Sequence, residues 1–248
     1  MASPAKKQKT DSGEMVGQFP TSMIDRLQAA RVIAGFSVDR AEDAVPLARA
    51  LLAGGIDVIE LTLRTEAGLE AVAAICKEVP EMLVGVGTIL TPETAEQVHA
   101  AGAAFGVAPG CNIRVIQKAQ SLGLPFAPGI TTPSELELAI EEGCRLVKFF
   151  PAEPSGGVPY LKSMSAPYAH LGIKYFPLGG INAENMGGYL ALPQALAGAG
   201  WFVDCKEEPC RCQGLGWNYS ACKGCKSSPL GTKCCSNWTS GICQRREG

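Results

Sequence analysis

Apolar and polar positions along most of this chain switch between two periods. In residues 40–53, Ala44, Val45, Leu47, Ala48, Leu51 and Leu52 recur at three- and four-residue spacing, which puts them on one helical face; Gly54 and Gly55 follow as a stop. Residues 57–63 then form a short, mostly apolar run of strand length. The alternation repeats as helix 66–79 and strand 83–88, helix 92–101 ending at Gly102 and strand 105–108, then helix 113–121 ending at Gly123 and strand 125–127. Thr132, Pro133 and Glu135 supply an N-cap, a first-turn proline and a capping-box acid for a helix that stops at Gly143, and strand 146–150 follows. Segments 174–176 and 195–197 read as the last two strands, and 31–36 as the first.

Eight strands separated by helices predict an α/β fold with a parallel sheet and right-handed crossovers. The periodicity by itself fits either a closed barrel or an open doubly wound sheet. The strand ends favour the barrel: Glu60, Thr88, Pro109, Gly129, Lys148 and Gly179 all fall at or near the C-terminal ends of successive strands, the face on which (β/α)8 TIM barrels carry their sites. The expected organisation is a disordered leader over 1–20, the barrel over 21–203, and a Cys-rich irregular tail over 204–248 in place of the final helix.

Composition narrows the function classes. With 248 residues, 46% of them hydrophobic, the chain can bury one large core, and a net charge of −2 gives no electrostatic reason to expect nucleic acid or an anionic membrane as partner. No apolar run approaches the roughly 20 residues that span a bilayer. The first residues carry Lys6, Lys7 and Lys9 without a following apolar stretch, so a solvated leader fits better than a secretory signal or a nuclear address. Cys76, Cys111 and Cys144 are scattered as in a cytoplasmic enzyme with inert thiols, whereas eight cysteines crowd between Cys205 and Cys243.

Lys148 lies in Leu146-Val147-Lys148-Phe149-Phe150, where alternation groups Leu146, Lys148 and Phe150 on one face. An ammonium there loses hydration, which favours the neutral amine that attacks a ketone. The bland readings are a lysine reaching out from a strand end, or one paired with a buried carboxylate. In 58–64, Glu60, Thr62 and Arg64 share one face and Ile59, Leu61 and Leu63 the other, so the polar face is expected to look into the barrel. A carboxylate there can move protons for the amine, and Arg64 can grip a substrate carboxylate; a structural Glu60–Arg64 or Arg64–Glu66 pair is the plain alternative. Thr88 closes Gly85-Val86-Gly87-Thr88, whose small residues admit a ligand to the backbone. Gly179 and Gly180, at an expected helix start, offer backbone N–H groups suited to phosphate.

The strings VIELTLRTE (58–66), GVGTILTPE (85–93), GVAPG (106–110), PFAPGITTPSE (125–135), LVKFFPAE (146–153) and PLGGIN (177–182) closely resemble the 2-keto-3-deoxy-6-phosphogluconate/4-hydroxy-2-oxoglutarate aldolase family, in order, across about residues 22–203. The resemblance implies a class I lyase of the Entner-Doudoroff pathway, without metal or cofactor and usually a homotrimer, that cleaves the phosphorylated 2-keto acid to pyruvate and glyceraldehyde 3-phosphate. It implies Lys148 as the Schiff-base lysine and Glu60 as the general acid/base. Arg64 and Thr88 would hold the pyruvate carboxylate, Pro109 and Phe150 would wall the pocket, and Gly179 and Gly180 would contact phosphate. Two positions depart from the family pattern: Leu178 stands where a threonine is usual, and Gly200 where a serine helps to hold phosphate. These keep open a 4-hydroxy-2-oxoglutarate aldolase or oxaloacetate decarboxylase.

Past Val203 the resemblance ends. Cys222-Lys223-Gly224-Cys225 could be half a zinc site, although the other spacings match no four-ligand pattern, and Asn218 and Asn237 begin glycosylation sequons that matter only after secretion. A tail from altered splicing or reading frame, a metal module and a disulfide module all stand open. With them stands an inactive barrel whose tail binds a metal or a partner. Loss of the final helix is expected to expose the apolar outer face of the eighth strand.

Overall fold

The computed structural model describes residues 15–182, 184–196, 198–204, 211–212 and 217–218, the last three segments by backbone alone. Eight barrel strands appear in chain order: β1 (Val32–Phe36), β2 (Val58–Thr62), β3 (Leu83–Gly87), β4 (Phe105–Val107), β5 in two pieces (Phe126–Ala127 and Gly129–Ile130), β6 (Leu146–Phe149), β7 (Lys174–Pro177) and β8 (Gly198–Asp204). All the neighbouring barrel strands pair in parallel, β8 with β1, then β1 through β5, and β5 through β7. Pro128 separates the two pieces of β5, the first pairing with β4 and the second with β6. The ring closes between β7 and β8, where Tyr175 donates to the Gln194 carbonyl at 2.8 Å and accepts from Leu196 N–H at 3.0 Å. A closed ring rather than an open sheet therefore carries the site.

The helices are α1 (Thr21–Ala30), α2 (Ala44–Ala53), α3 (Gly68–Glu78), α4 (Pro92–Ala100), α5 (Ile113–Leu122), α6 (Pro133–Glu141), α7 (Gly157–Ser165) and α8 (Met186–Leu190). Local chemistry accounts for several boundaries. Thr132 and Glu135 form the capping box at α6, and Thr91 caps α4 by accepting from Thr94 N–H. Gly123 ends α5 at φ 68°, a conformation that glycine adopts without a side-chain penalty. A 3-10 turn, Ala41–Asp43, precedes α2, so the helix expected over 40–53 begins at Ala44. Helix α7 has no counterpart among the helices that the apolar pattern predicts. Pro159 falls in its first turn, where no intrahelical N–H is needed.

Two kinds of apolar surface make two cores. Ile59, Leu61, Val84, Val86, Val147 and Phe149 face outward and pack beneath the helices with Leu51, Ile75, Ile116 and Leu136. Ile33, Val58, Leu83, Phe105, Leu146 and Phe176 belong to a second cluster that fills the barrel, together with Phe19, Ile24 and Leu27. These last three come from α1 and the turn before it, and they plug the N-terminal end. Each large side chain so buried contributes about 1.5–3 kcal/mol. Phe19 lies within the segment expected to be a leader; Met15–Val16 and Phe19–Pro20 pair there as a two-residue antiparallel ribbon.

The eighth strand corrects the expectation of 195–197. It runs over Gly198–Asp204, and Ala195 only bridges Tyr175. Gly198 and Gly200 are held in the ladder by β1, with Gly200 opposite Ile33 and a register shift between Gly198 and Gly200. Two short strands, Arg211–Cys212 and Trp217–Asn218, continue from β8 in antiparallel fashion. The CxxC at Cys222 and Cys225, the sequon at Asn237 and the outer face expected to be exposed lie outside the described side chains. Among the described residues, no helix is long and apolar enough to cross a membrane.

Candidate active site

Glu60 and Lys148 meet inside the barrel. Their strands, β2 and β6, stand opposite one another in the ring, so the contact spans its interior: Lys148 Nζ donates to Glu60 Oε1 at 2.9 Å. Glu60 is 2% exposed and Lys148 6%. Alternation along each strand produces this placement. Leu146 lies one step below Lys148 in the inward cluster, Phe150 packs on that cluster above it, and Val147 and Phe149 face the helices. Of the two bland readings of Lys148, pairing with a buried carboxylate is thus real, and the carboxylate is Glu60. Each charge offsets part of the cost of burying the other, and the pair puts a lysine nitrogen and a carboxylate oxygen in contact. The Phe150 ring adds a face 5.2 Å from Nζ.

Glycines make room for this pair. Register places Glu60 beside Gly35 and Gly85, and Lys148 beside Gly129. A Cβ on Gly87 would lie 2.1 Å from Glu60 Oε1, and one on Gly129 would lie 2.2 Å from the Pro109 carbonyl. Beside the ligand access read for Gly85 and Gly87, the structure gives both a packing role. Gly87 leaves space for the carboxylate, and Gly85 leaves space for the Phe105 ring, which a Cβ would meet at 2.1 Å. That use is not legible along β3 itself, because the side chains the glycines admit come from other strands.

The remaining candidates surround the C-terminal mouth. Thr62 donates to the Phe36 carbonyl at 3.2 Å, tying β2 to β1 just above Glu60. Arg64 is exposed, immediately beyond the end of β2, and Thr88 follows β3 half-buried. Because Thr62 pairs with Gly87, Arg64 and Thr88 leave neighbouring strands together. Thr88 has φ 66°, unusual for a β-branched residue and costing about 1–3 kcal/mol of backbone strain. Pro109 is half-buried beyond β4. Gly179 and Gly180 follow β7 at φ 96° and 78°. The helix expected to start beside them, α8, begins only at Met186, and the Asn182 N–H is taken by Asn185 Oδ1 at 2.7 Å. Leu178, 6% exposed, belongs to the inward cluster with Phe176.

A supporting network, absent from the sequence reading, holds the rim. Thr131 Oγ1 donates to the Phe150 carbonyl at 2.6 Å, and Tyr160 donates to the Thr131 carbonyl at 2.9 Å. Glu135 Oε2 accepts from Thr131 N–H at 2.7 Å and Thr132 N–H at 2.8 Å. Burial pushes the Glu135 carboxyl up, but these amides and the Thr132 hydroxyl outweigh it and hold the group below the ordinary range. The sequence signal for Glu135 was its capping-box spacing, which reveals the helix start but not the reach to Thr131. The cysteines stand apart from this chemistry: burial raises the thiols of Cys76 and Cys111 and pushes that of Cys144 up to about 12, which disfavours thiolates.

The fold and the buried pair define a class: a (β/α)8 barrel with an amine and a carboxylate in contact at its C-terminal end. The profile of the family described as KDPG and KHG aldolase matches residues 23–210. The 2-dehydro-3-deoxy-phosphogluconate aldolase of Treponema pallidum is 45% identical over 183 residues, 73% of this chain and 86% of that protein. Among solved structures, the 2-keto-3-deoxy-6-phosphogluconate aldolase of Zymomonas mobilis with 3-phosphoglycerate superposes with TM-score 0.69 at 36% identity, covering 74% of this chain and 87% of that one. The KDPG aldolase of Legionella pneumophila, with pyruvate captured as a covalent carbinolamine, gives TM-score 0.68 at 39% identity, covering 71% and 85%. The chain belongs to the KDPG and KHG aldolase family, whose members are lyases acting by aldol cleavage.

Proposed function

We propose that this protein is a class I aldolase that cleaves 2-keto-3-deoxy-6-phosphogluconate to pyruvate and glyceraldehyde 3-phosphate through a Schiff base on Lys148. The observation that carries the reading is the buried contact of Lys148 Nζ with Glu60 Oε1 across the barrel. Transfer of a proton from Lys148 to Glu60 frees the amine for attack on the substrate ketone, giving a carbinolamine. Glu60 returns its proton to the carbinolamine hydroxyl, which leaves as water and gives a protonated imine with Glu60 again a carboxylate. Glu60, directly or through water, then takes the proton of the hydroxyl on carbon four, and the bond between carbons three and four breaks. The aldehyde leaves, the pyruvate enamine takes a proton on carbon three, and hydrolysis of the imine returns Lys148. Arg64 and Thr88 hold the carboxylate, Pro109 and Phe150 wall the pocket, and Gly179 and Gly180 receive the phosphate. The relatives' carbinolamine and 3-phosphoglycerate complexes support the two ends of this placement. A homotrimer in the cytoplasm is the expected setting.

Borohydride reduction with pyruvate, followed by peptide mass mapping, tests the imine. A pyruvyl adduct on Lys148 is the expected result. A folded protein that yields none would put the inactive barrel first. A second reading has one observation in its favour: the buried, inward-facing Leu178 provides no hydroxyl to an aldehyde substrate. A 4-hydroxy-2-oxoglutarate aldolase or oxaloacetate decarboxylase would then show the higher kcat/KM on the unphosphorylated acid.

A further inference from the structure

Around the Gly179-Gly180 turn, three hydrogen bonds form a ring that the cleavage steps do not use. Glu153 N–H donates to the Gly179 carbonyl at 3.0 Å. Asn185 Nδ2 donates to the Gly180 carbonyl at 3.1 Å. The Tyr189 hydroxyl, on a fully buried side chain of α8, donates to Glu153 Oε1 and ties the first of these anchors to the helix that follows the second. Packing is equally close. A Cβ on Gly180 would meet Glu153 Cβ at 2.7 Å, and one on Gly157 would lie 3.2 Å from Glu153 Oε1 and 3.5 Å from the Tyr189 hydroxyl. Gly180 and Gly157 therefore leave space for one carboxylate side chain, and both have positive φ. Burial, and then the bond to Glu153, raise the Tyr189 hydroxyl, which keeps it a donor.

We propose that Glu153 and Tyr189 are a positioning pair that sets the Gly179-Gly180 turn and thereby the preference for phosphorylated over unphosphorylated 2-keto acids. Neither residue touches the reacting carbons. The pair acts by holding both glycine peptides in their left-handed geometry. This rests on the phosphate reading of that turn. Its signature is a change in binding of the phosphate end with the imine chemistry left intact.

The test measures steady-state cleavage of 2-keto-3-deoxy-6-phosphogluconate and of its unphosphorylated analogue, with inorganic phosphate as a competitive probe. For Tyr189→Phe we expect KM for the phosphorylated substrate and the inhibition constant of phosphate to rise about tenfold, the equivalent of one lost hydrogen bond, with kcat within about twofold. KM for the unphosphorylated substrate and the yield of borohydride-trapped pyruvate stay at the wild-type level. Glu153→Gln retains an acceptor for the hydroxyl and remains close to wild type, whereas Glu153→Asp, which retracts the acceptor, follows Tyr189→Phe and carries the test should that variant not fold. Equal losses on both substrates, or no loss on either, would overturn the positioning role. A wild-type enzyme with no phosphate preference and no inhibition by phosphate would sink the phosphate reading itself, and the proposal with it.

Discussion

The barrel interior has two layers built by the same strands, and they are opposites. The lower layer, Ile33, Val58, Leu83, Phe105 and Leu146 over the plug from α1, is apolar and closed. One alternation step higher, β2 presents Glu60 instead of Val58, β6 presents Lys148 instead of Leu146, and β3 presents Gly85 and Gly87. The lower layer holds the barrel together by burial. The upper one places two charges in contact, and Gly87 omits the side chain that would displace the Glu60 carboxylate. A barrel can host chemistry at one end because it is filled at the other.

The largest effect comes from making the upper layer resemble the lower. Lys148→Met is expected to reduce kcat/KM by at least about 10,000-fold, since it removes the nucleophile. Glu60 would then be buried without its partner, a break that costs about 3–5 kcal/mol unless the carboxyl takes a proton. Replacing both, Lys148→Met with Glu60→Leu, should recover most of that stability in urea unfolding while activity stays lost. If the single variant were as stable as wild type, the ion pair would not be what satisfies these charges.

Two glycines on β3 divide the layers more finely. Gly87→Ala puts a methyl against Glu60 Oε1, and we expect kcat to fall about 100-fold as the carboxylate is displaced from the amine. Gly85→Ala puts the same methyl against the Phe105 ring. That should lower stability by about 1–3 kcal/mol, while kcat of the folded fraction changes only a few-fold. Similar kcat losses from both, at equal stability, would mean that the layers are not separable.

The smallest effect sharpens the rim. The Glu135 carboxyl titrates below its ordinary value, so its contribution is complete above the unfolded carboxylate pKa of about 4.3 and is lost as pH falls through the folded one. Glu135→Gln is therefore expected to lower Tm by about 2 °C near neutral pH, a capping contribution discounted for exposure. The gap from wild type should close below about pH 4 in thermal melts. A gap that persists in acid would assign the effect to the side chain's shape rather than its charge.

Alternation within single strands settled much of this in advance. It separated Glu60 and Thr62 from Ile59 and Leu61, and Lys148 from Val147 and Phe149. The capping box at Thr132 and the glycine stop at Gly123 were local and came out as read. Where the reading slipped, the deciding partner was distant in sequence. The eighth strand was placed early because Gly198 and Gly200 have weak strand preference of their own, and only the β1 ladder holds them extended. Helix α7 lies outside the predicted pattern, and Pro159 falls in its first turn, where it does not interrupt the helix.

Period-two alternation and strand direction are enough to assign the polar face of each strand and to gather Glu60, Thr88 and Lys148 toward one end of the barrel. The folded structure alone decided that Glu60 and Lys148, 88 positions apart, meet in one buried hydrogen bond. It decided too that Gly87 exists to admit a neighbour's carboxylate and that Glu153 braces the Gly179-Gly180 turn. Those depend on how strands and loops from remote parts of the chain approach one another, which ring closure sets and no local pattern records.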